Sequence, residues 1–206
     1  MKNNSPDENL ITGVIIDDES KRAAVLIPII EVDGKNHVLF EVRSMKLAGQ
    51  PGDVCFPGGI IEDGETALEA ALREAEEEIY TPKDSFEILG PTHVFHTPGI
   101  TSFPFVAKLK SYDGRFNREE VSEVFTVPLE FFMNTEPERH MLEWVRLESE
   151  TFPYERIVGG RDYRWRKQRQ PELFYNYEGR TIWGFTGKIL YYDLVRHAVS
   201  AYGIEY

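Results

Sequence analysis

The chain has 206 residues, 41% hydrophobic and 13% aromatic, which is enough apolar material for a domain core and excludes wholesale disorder. Its formal net charge of -12 excludes general affinity for nucleic acid, because phosphate binding needs a basic surface. The single cysteine, Cys55, excludes an internal disulfide and fits a reducing, cytoplasmic setting.

The opening MKNNSPDENL lacks the basic start and apolar stretch of a signal peptide, and residues 1–22 read as a polar arm ahead of one domain over 23–206. No apolar run approaches the roughly 18–20 residues that span a bilayer, so no membrane partner is expected. AAVLIPIIEV (23–32) and HVLFEVR (37–43) read as strands joined at Asp33-Gly34, a strong hairpin signal between apolar runs. Residues 44–59 are a glycine- and proline-rich loop holding a short apolar piece, Val54-Cys55-Phe56. Helical period begins near Glu65: Leu68, Ala71, Leu72, Ala75 and Ile79 form a stripe, and Thr81-Pro82 ends it. Strands are expected at 86–96, 102–110 and 121–127, then a short helix opening on Pro128. Residues 135–180 are the least legible and are expected to hold strands and long loops. A helix is expected from Thr181 to Ala201, with Gly203 as its stop. The pattern is α+β, a mixed sheet with helices on both sides.

The chemistry is concentrated in GIIEDGETALEAALREAEEE (59–78). Glu74, Glu77 and Glu78 stand at i, i+3 and i+4, so their carboxylates share one side of a helix and repel one another. Hard divalent cations with oxygen preference, Mg²⁺ or Mn²⁺, would remove that repulsion. Arg73 precedes Glu77 by four residues, the spacing of a helical ion pair, and is assigned an orienting role. Glu65 falls where the first helical turn should offer free N–H groups and the positive dipole end. Gly58 and Gly59 could let backbone amides approach a phosphate. A run of glutamates is ordinarily a solvated face, and it is the spacing that argues otherwise here.

That spacing resembles the Nudix box, with Gly59, Glu65, Arg73, Glu74, Ala75, Glu77 and Glu78 in register. Two late positions depart: Tyr80 stands for the usual glycine and Thr81 for the final apolar residue. The resemblance implies a Nudix hydrolase domain over 23–206, folded as an α/β/α sandwich around a mixed sheet. It gives Glu74, Glu77 and Glu78 the metal-ligand role and implies a further acidic residue outside the box. Glu120 and Glu123 are the candidates for it, against a reading as surface charges. Upstream, LFEVRSMKLAGQPGDVCFPGG (39–59) is similar to the signature of coenzyme A pyrophosphatases in Leu39, Arg43, Ser44, Gly52, Phe56, Pro57, Gly58 and Gly59. It departs at Phe40, Glu41 and Ala48, where leucine, threonine and arginine are usual. Residues 117–132 and 181–190 are similar to segments of the same subfamily.

The implied reaction is metal-assisted hydrolysis of a nucleoside diphosphate linkage, with Glu77, Glu78, Glu120 or Glu123 as proton acceptor. For coenzyme A the products would be 3′,5′-ADP and 4′-phosphopantetheine. An ADP-ribose or other dinucleotide pyrophosphatase is the alternative, and a non-catalytic Nudix-fold binding or regulatory protein the second. Arg43 is weighed as a substrate-phosphate contact against an ordinary strand-end arginine. With Lys46, Arg161, Arg164 and Arg166 it is a candidate for the 3′-phosphate. Cys55 reads as a small core residue rather than a nucleophile. His93 and His96 should face opposite sides of a strand, which argues against a zinc site. Trp183 reads as a packing wall, with adenine stacking as the alternative. The oligomeric state is left open, a homodimer included.

Overall fold

The structure, a computed structural model, describes residues 20–97, 99–144 and 150–206. Of the expected arm, 1–19 lie outside the described residues, and Lys21 and Arg22 already belong to the first strand. Strands β1 (Lys21–Val32) and β2 (Lys35–Arg43) pair antiparallel with Val32 opposite Lys35. The two residues between them, Asp33 and Gly34, have φ of 51° and 77°, the pair of positive values that a tight hairpin turn needs. After the loop come β3 (Val54–Cys55) and β4 (Gly58–Ile60), the latter antiparallel to β1.

The segment expected as one strand over 86–96 is two, β5 (Phe86–Pro91) and β6 (Phe95–Thr97), both antiparallel to β7 (Ile100–Leu109). Strand β8 (Val121–Pro128) pairs with β2. The central order β3-β2-β1-β7-β5 contains a parallel pair, β1 with β7, so the eight-stranded sheet is mixed.

Strand parity divides the sheet's side chains between two cores. Ala24, Leu26, Leu39, Phe103 and Ala107 face helix α1 (Ala67–Ile79), while Ile27, Ile29, Val38, Phe40 and Val106 face the other way. That second face is covered by α2 (Leu129–Asn134) and by the carboxy-terminal helix α3 (184–201). The α/β/α layering follows directly. Helix α1 lies close to the sheet because the residues it buries are mostly alanine: Ala67, Ala70, Ala71, Ala75 and Ile79. Leu68 and Leu72, expected in the stripe, are half-buried at its margin.

Strands β9 (Glu138–Trp144), β10 (Gln168–Tyr177) and β11 (Arg180–Trp183) form a second, three-stranded antiparallel sheet in the order β11-β10-β9. Leu173, Tyr175 and Ile182 join it to the α2–α3 core. The helix expected from Thr181 begins later, because Thr181 pairs with Asn176 and Trp183 with Phe174 in the hairpin. Helix α3 then runs as α over Gly184–Ile189, π over Leu190–Ala198 and α again over Val199–Ala201. Among the described residues no helix is long and apolar enough to cross a membrane.

Candidate active site

The turn from β4 into α1 brings the box glutamates against the sheet. Thr66 caps the helix: its hydroxyl accepts from the Glu69 N–H at 3.2 Å, and Glu69 accepts from the Thr66 N–H at 2.8 Å. This reciprocal cap, readable as Thr-x-x-Glu, was a signal the sequence offered and the spacing argument passed over. It places Glu65 just before the helix rather than in its first turn. The Glu65 carboxylate accepts the Glu62 N–H at 2.7 Å and is gripped by Arg73 through Nε at 3.2 Å and Nη2 at 2.9 Å.

Arg73 is a hub. Besides Glu65 it donates to Glu74 Oε1 at 2.9 Å and to the Ile60 carbonyl at 3.1 Å, and it lies 3.5 Å from Glu77 Oε2. The ion pair with Glu77 expected from spacing is therefore the longest of its contacts with carboxylates. The Arg73 guanidinium holds the Glu65 carboxyl below its usual range. In turn the surrounding carboxylates, Glu65 first, hold the Arg73 proton more tightly.

Two glycines permit the approach. The Gly58 N–H donates to Glu78 Oε2 at 2.9 Å. A Cβ on Gly58 would stand 2.4 Å from the Ala24 carbonyl oxygen. A Cβ on Gly59 would stand 2.2 Å from Glu74 Oε1, so only glycine leaves room for that carboxylate.

The three helix glutamates differ sharply in surroundings. Glu78 is 3% exposed, and burial, then the charge of Glu41, push its carboxyl well up. Glu74 is half-buried and also shifted up by burial, with Arg73 opposing. The Glu77 side chain is largely exposed. Sequence reading missed Glu41, which is 1% exposed on β2 and shifted up by burial. Strand parity puts Glu41 on the same face as Leu39, the one turned toward α1. The Cys55 thiol donates to Glu41 Oε1 at 3.4 Å, and burial pushes the thiol's pKa up, which suits an inert core residue.

Arg43 stands at the end of β2 with Nε donating to the Gly49 carbonyl at 3.2 Å, and its charge acts on both Glu41 and Glu78. Of the two outlying acids, Glu120 is brought to this group: its charge acts on Glu41 and Glu74, and its Oε1 accepts from Asn117 at 2.9 Å. Glu123 is not. It pairs with Val42 across β8 and β2, which turns its side chain to the opposite face of the sheet, where Arg180 holds it at 2.5 Å. Lys46 pairs with Glu119 at 2.8 Å, and Arg161 lies over the Tyr154 ring. Trp183 is 40% exposed and stacks on Phe174 with ring centroids 5.7 Å apart, a packing wall. His93 bonds Asp193 at 2.8 Å while His96 bonds the Thr101 hydroxyl at 2.9 Å, so the two histidines share no site.

The donors around Gly58 and Gly59 are carboxylate oxygens, the ligand chemistry of Mg²⁺ or Mn²⁺ rather than of zinc. Among the described residues no three His, Cys, Asp or Glu side chains already converge as a metal cage. Arg73 engages Glu74 and Glu77, while Glu78 accepts from the Gly58 N–H. Glu74, Glu77 and Glu78 fit the cation by chemistry, and Glu74 and Glu77 would turn from Arg73 to hold it.

A family model described as NUDIX domain matches residues 20–156. The chain is 37% identical over 121 residues to the peroxisomal coenzyme A diphosphatase NUDT7 of Mus musculus, covering 56% of this chain and 50% of that protein. It thus spans about half the length of that relative. It is 31% identical over 179 residues to the Nudix hydrolase NudL of Photorhabdus laumondii, covering 85% of this chain and 84% of the other. Among solved structures, the Nudix hydrolase RenU of M. smegmatis aligns over 54% of this chain and 72% of its own at 24% identity, with a TM-score of 0.47.

Proposed function

The chain belongs to the NUDIX family, and from that premise we propose that it hydrolyses the diphosphate linkage of coenzyme A or an acyl-coenzyme A. Water adds across the anhydride, one phosphorus–oxygen bond breaks, and 3′,5′-ADP and (acyl-)4′-phosphopantetheine leave. The observation that carries the reading is the gathering of Glu74 and the buried Glu78 against Gly58 and Gly59, acids whose like charges call for a cation.

Glu74, Glu77 and Glu78 would hold Mg²⁺ or Mn²⁺, which when bound neutralises diphosphate charge and acidifies a coordinated water. Arg73, fixed by Glu65, contacts both Glu74 and Glu77 through one guanidinium nitrogen and so offsets the repulsion between them. Glu77, the most exposed of the three, or Glu120 accepts the proton of the attacking water; Glu123 is tied to Arg180 on the far face. Arg43 meets the substrate phosphates as a bidentate cation can. Similarity over residues 39–59 and to the mouse diphosphatase supports coenzyme A as the substrate. The lone Cys55 supports a cytoplasmic setting.

Glu77→Gln and Glu78→Gln test the reading, because each keeps side-chain size and removes charge. Turnover should fall by roughly 10²-fold or more in each, the scale of an oriented metal-bound nucleophile. Near wild-type turnover in both variants would overturn the assignment of the site.

A further inference from the structure

Strand β2 carries a carboxylate that the box does not contain. Leu39 and Glu41 lie on the face turned toward α1, and Glu41 sits opposite Cys55 on β3 and Val124 on β8. The side chain is 1% exposed. Its Oε1 accepts from the Cys55 thiol, and its Oε2 has no hydrogen-bond partner at all. Around it stand the charges of Glu74 and Glu120, with Glu41 itself acting on Glu78 and the Arg43 cation acting on Glu41.

A buried carboxylate oxygen left unpaired is costly unless something positive meets it. A weak thiol donor is a poor match for it, and a strand position in an otherwise apolar face has no structural need of an acid. Glu78 is in the same position on the helix side, buried and served by one backbone N–H. A single cation between sheet and helix satisfies both.

Resting on the hydrolase reading above, we propose that Glu41 is a further ligand of the divalent cation, reaching it from the sheet opposite Glu78. The cation is then clamped between β2 and α1 rather than held on the helix alone. The coenzyme A pyrophosphatase signature carries threonine here, so the clamp is a departure of this chain from that pattern.

The test titrates metal-free protein with Mn²⁺ and reads free Mn²⁺ by electron paramagnetic resonance, which needs neither substrate nor turnover. Glu41→Gln should weaken Mn²⁺ binding by at least about tenfold, the loss common for groups that serve a metal site. Glu41→Thr, the residue of the signature, should do the same and keeps the test decidable if glutamine is not tolerated. Cys55→Ala removes the thiol contact and should leave Mn²⁺ affinity as in the wild type. If both folded Glu41 variants bind as tightly as the wild type, or Cys55→Ala weakens binding as much as they do, Glu41 is a core residue and not a ligand. Wild-type protein that binds no Mn²⁺ overturns the hydrolase reading itself, and the Glu41 assignment with it.

Discussion

The corner of β4 and α1 and the outlying sheet β9–β10–β11 differ in how far their charged residues are withdrawn from solvent. At the corner, Arg73 binds Glu65 and Glu74 while the Gly58 N–H binds Glu78, all within a span of 58 to 78. In the outlying sheet every residue of β9 is exposed, Met141, Leu142 and Trp144 included. Some of its charges pair within the sheet, as Arg169 does with Glu143, and others reach other elements, as Arg180 does with Glu123 and Glu172 with Lys188, the last pair at 2.5 Å. The contacts of the corner are thus made by near neighbours on one helix and one turn. The second sheet is attached through apolar residues, Leu173, Tyr175 and Ile182. Substitutions at the corner should therefore damage activity, and those at the attachment should damage folding.

The sharpest way to break that contrast lies inside the corner. Gly59→Val drives its side chain into the Glu74 carboxylate, which can move, so turnover should fall by about tenfold or more while melting changes little. Gly58→Val meets the backbone of Ala24 and Val25, which cannot move, so this variant should lose stability first. Melting temperature measured beside turnover separates the two. A stable, fully active Gly59→Val would remove the corner from the chemistry.

A smaller effect should appear with pH in the metal-free protein. Burial pushes the Glu78 carboxyl up to about 9 from an ordinary 4.5, so the folded state binds its proton more tightly than the unfolded chain. The stability this contributes is fully present below the ordinary value and is lost as pH rises through the folded one. Metal-free protein should therefore melt lower at pH 9 than at pH 6, by more than Glu78→Gln does over the same range. Added Mg²⁺ should narrow the difference. Equal pH slopes for wild type and Glu78→Gln, read by calorimetry, would deny the buried acid.

The smallest effect concerns the end of α1. Tyr80 takes φ of 49° where the box usually has glycine, so the left-handed cap is kept at the cost of a side chain that disfavours it. Tyr80→Gly should stabilise the protein by about 1 kcal/mol in chemical denaturation, with turnover unchanged. A loss of stability would mean that the tyrosine packing outweighs the backbone strain.

What the sequence made legible was local. The Asp33-Gly34 hairpin, the alanine-lined helix and the register of Glu74, Glu77 and Glu78 depend on residues a few positions apart, and periodicity reads them directly. The helix start at Thr181 was misplaced because Thr181 and Ile182 pair with Tyr175 and Asn176 in a hairpin, a tertiary choice that helical spacing cannot register. Glu120 and Glu123 are three residues apart and equivalent in the sequence, yet the charge of Glu120 acts on Glu41 and Glu74 while Glu123 faces away. Deciding between them needs the register of β8 on β2. Glu41 counted only as a mismatch to a pattern until strand parity showed which face it occupies.

The central claim, that the β4–α1 corner cleaves a coenzyme A diphosphate, is tested most directly by its products. Coenzyme A, ADP-ribose, NADH and diadenosine polyphosphates are each incubated with the protein and Mg²⁺ or Mn²⁺, and the products are separated by chromatography. The account expects 3′,5′-ADP and 4′-phosphopantetheine from coenzyme A, formed faster than any product of the other compounds and not formed when the cation is chelated. Faster cleavage of ADP-ribose would contradict the substrate, and no cation-dependent cleavage of any compound would contradict the site.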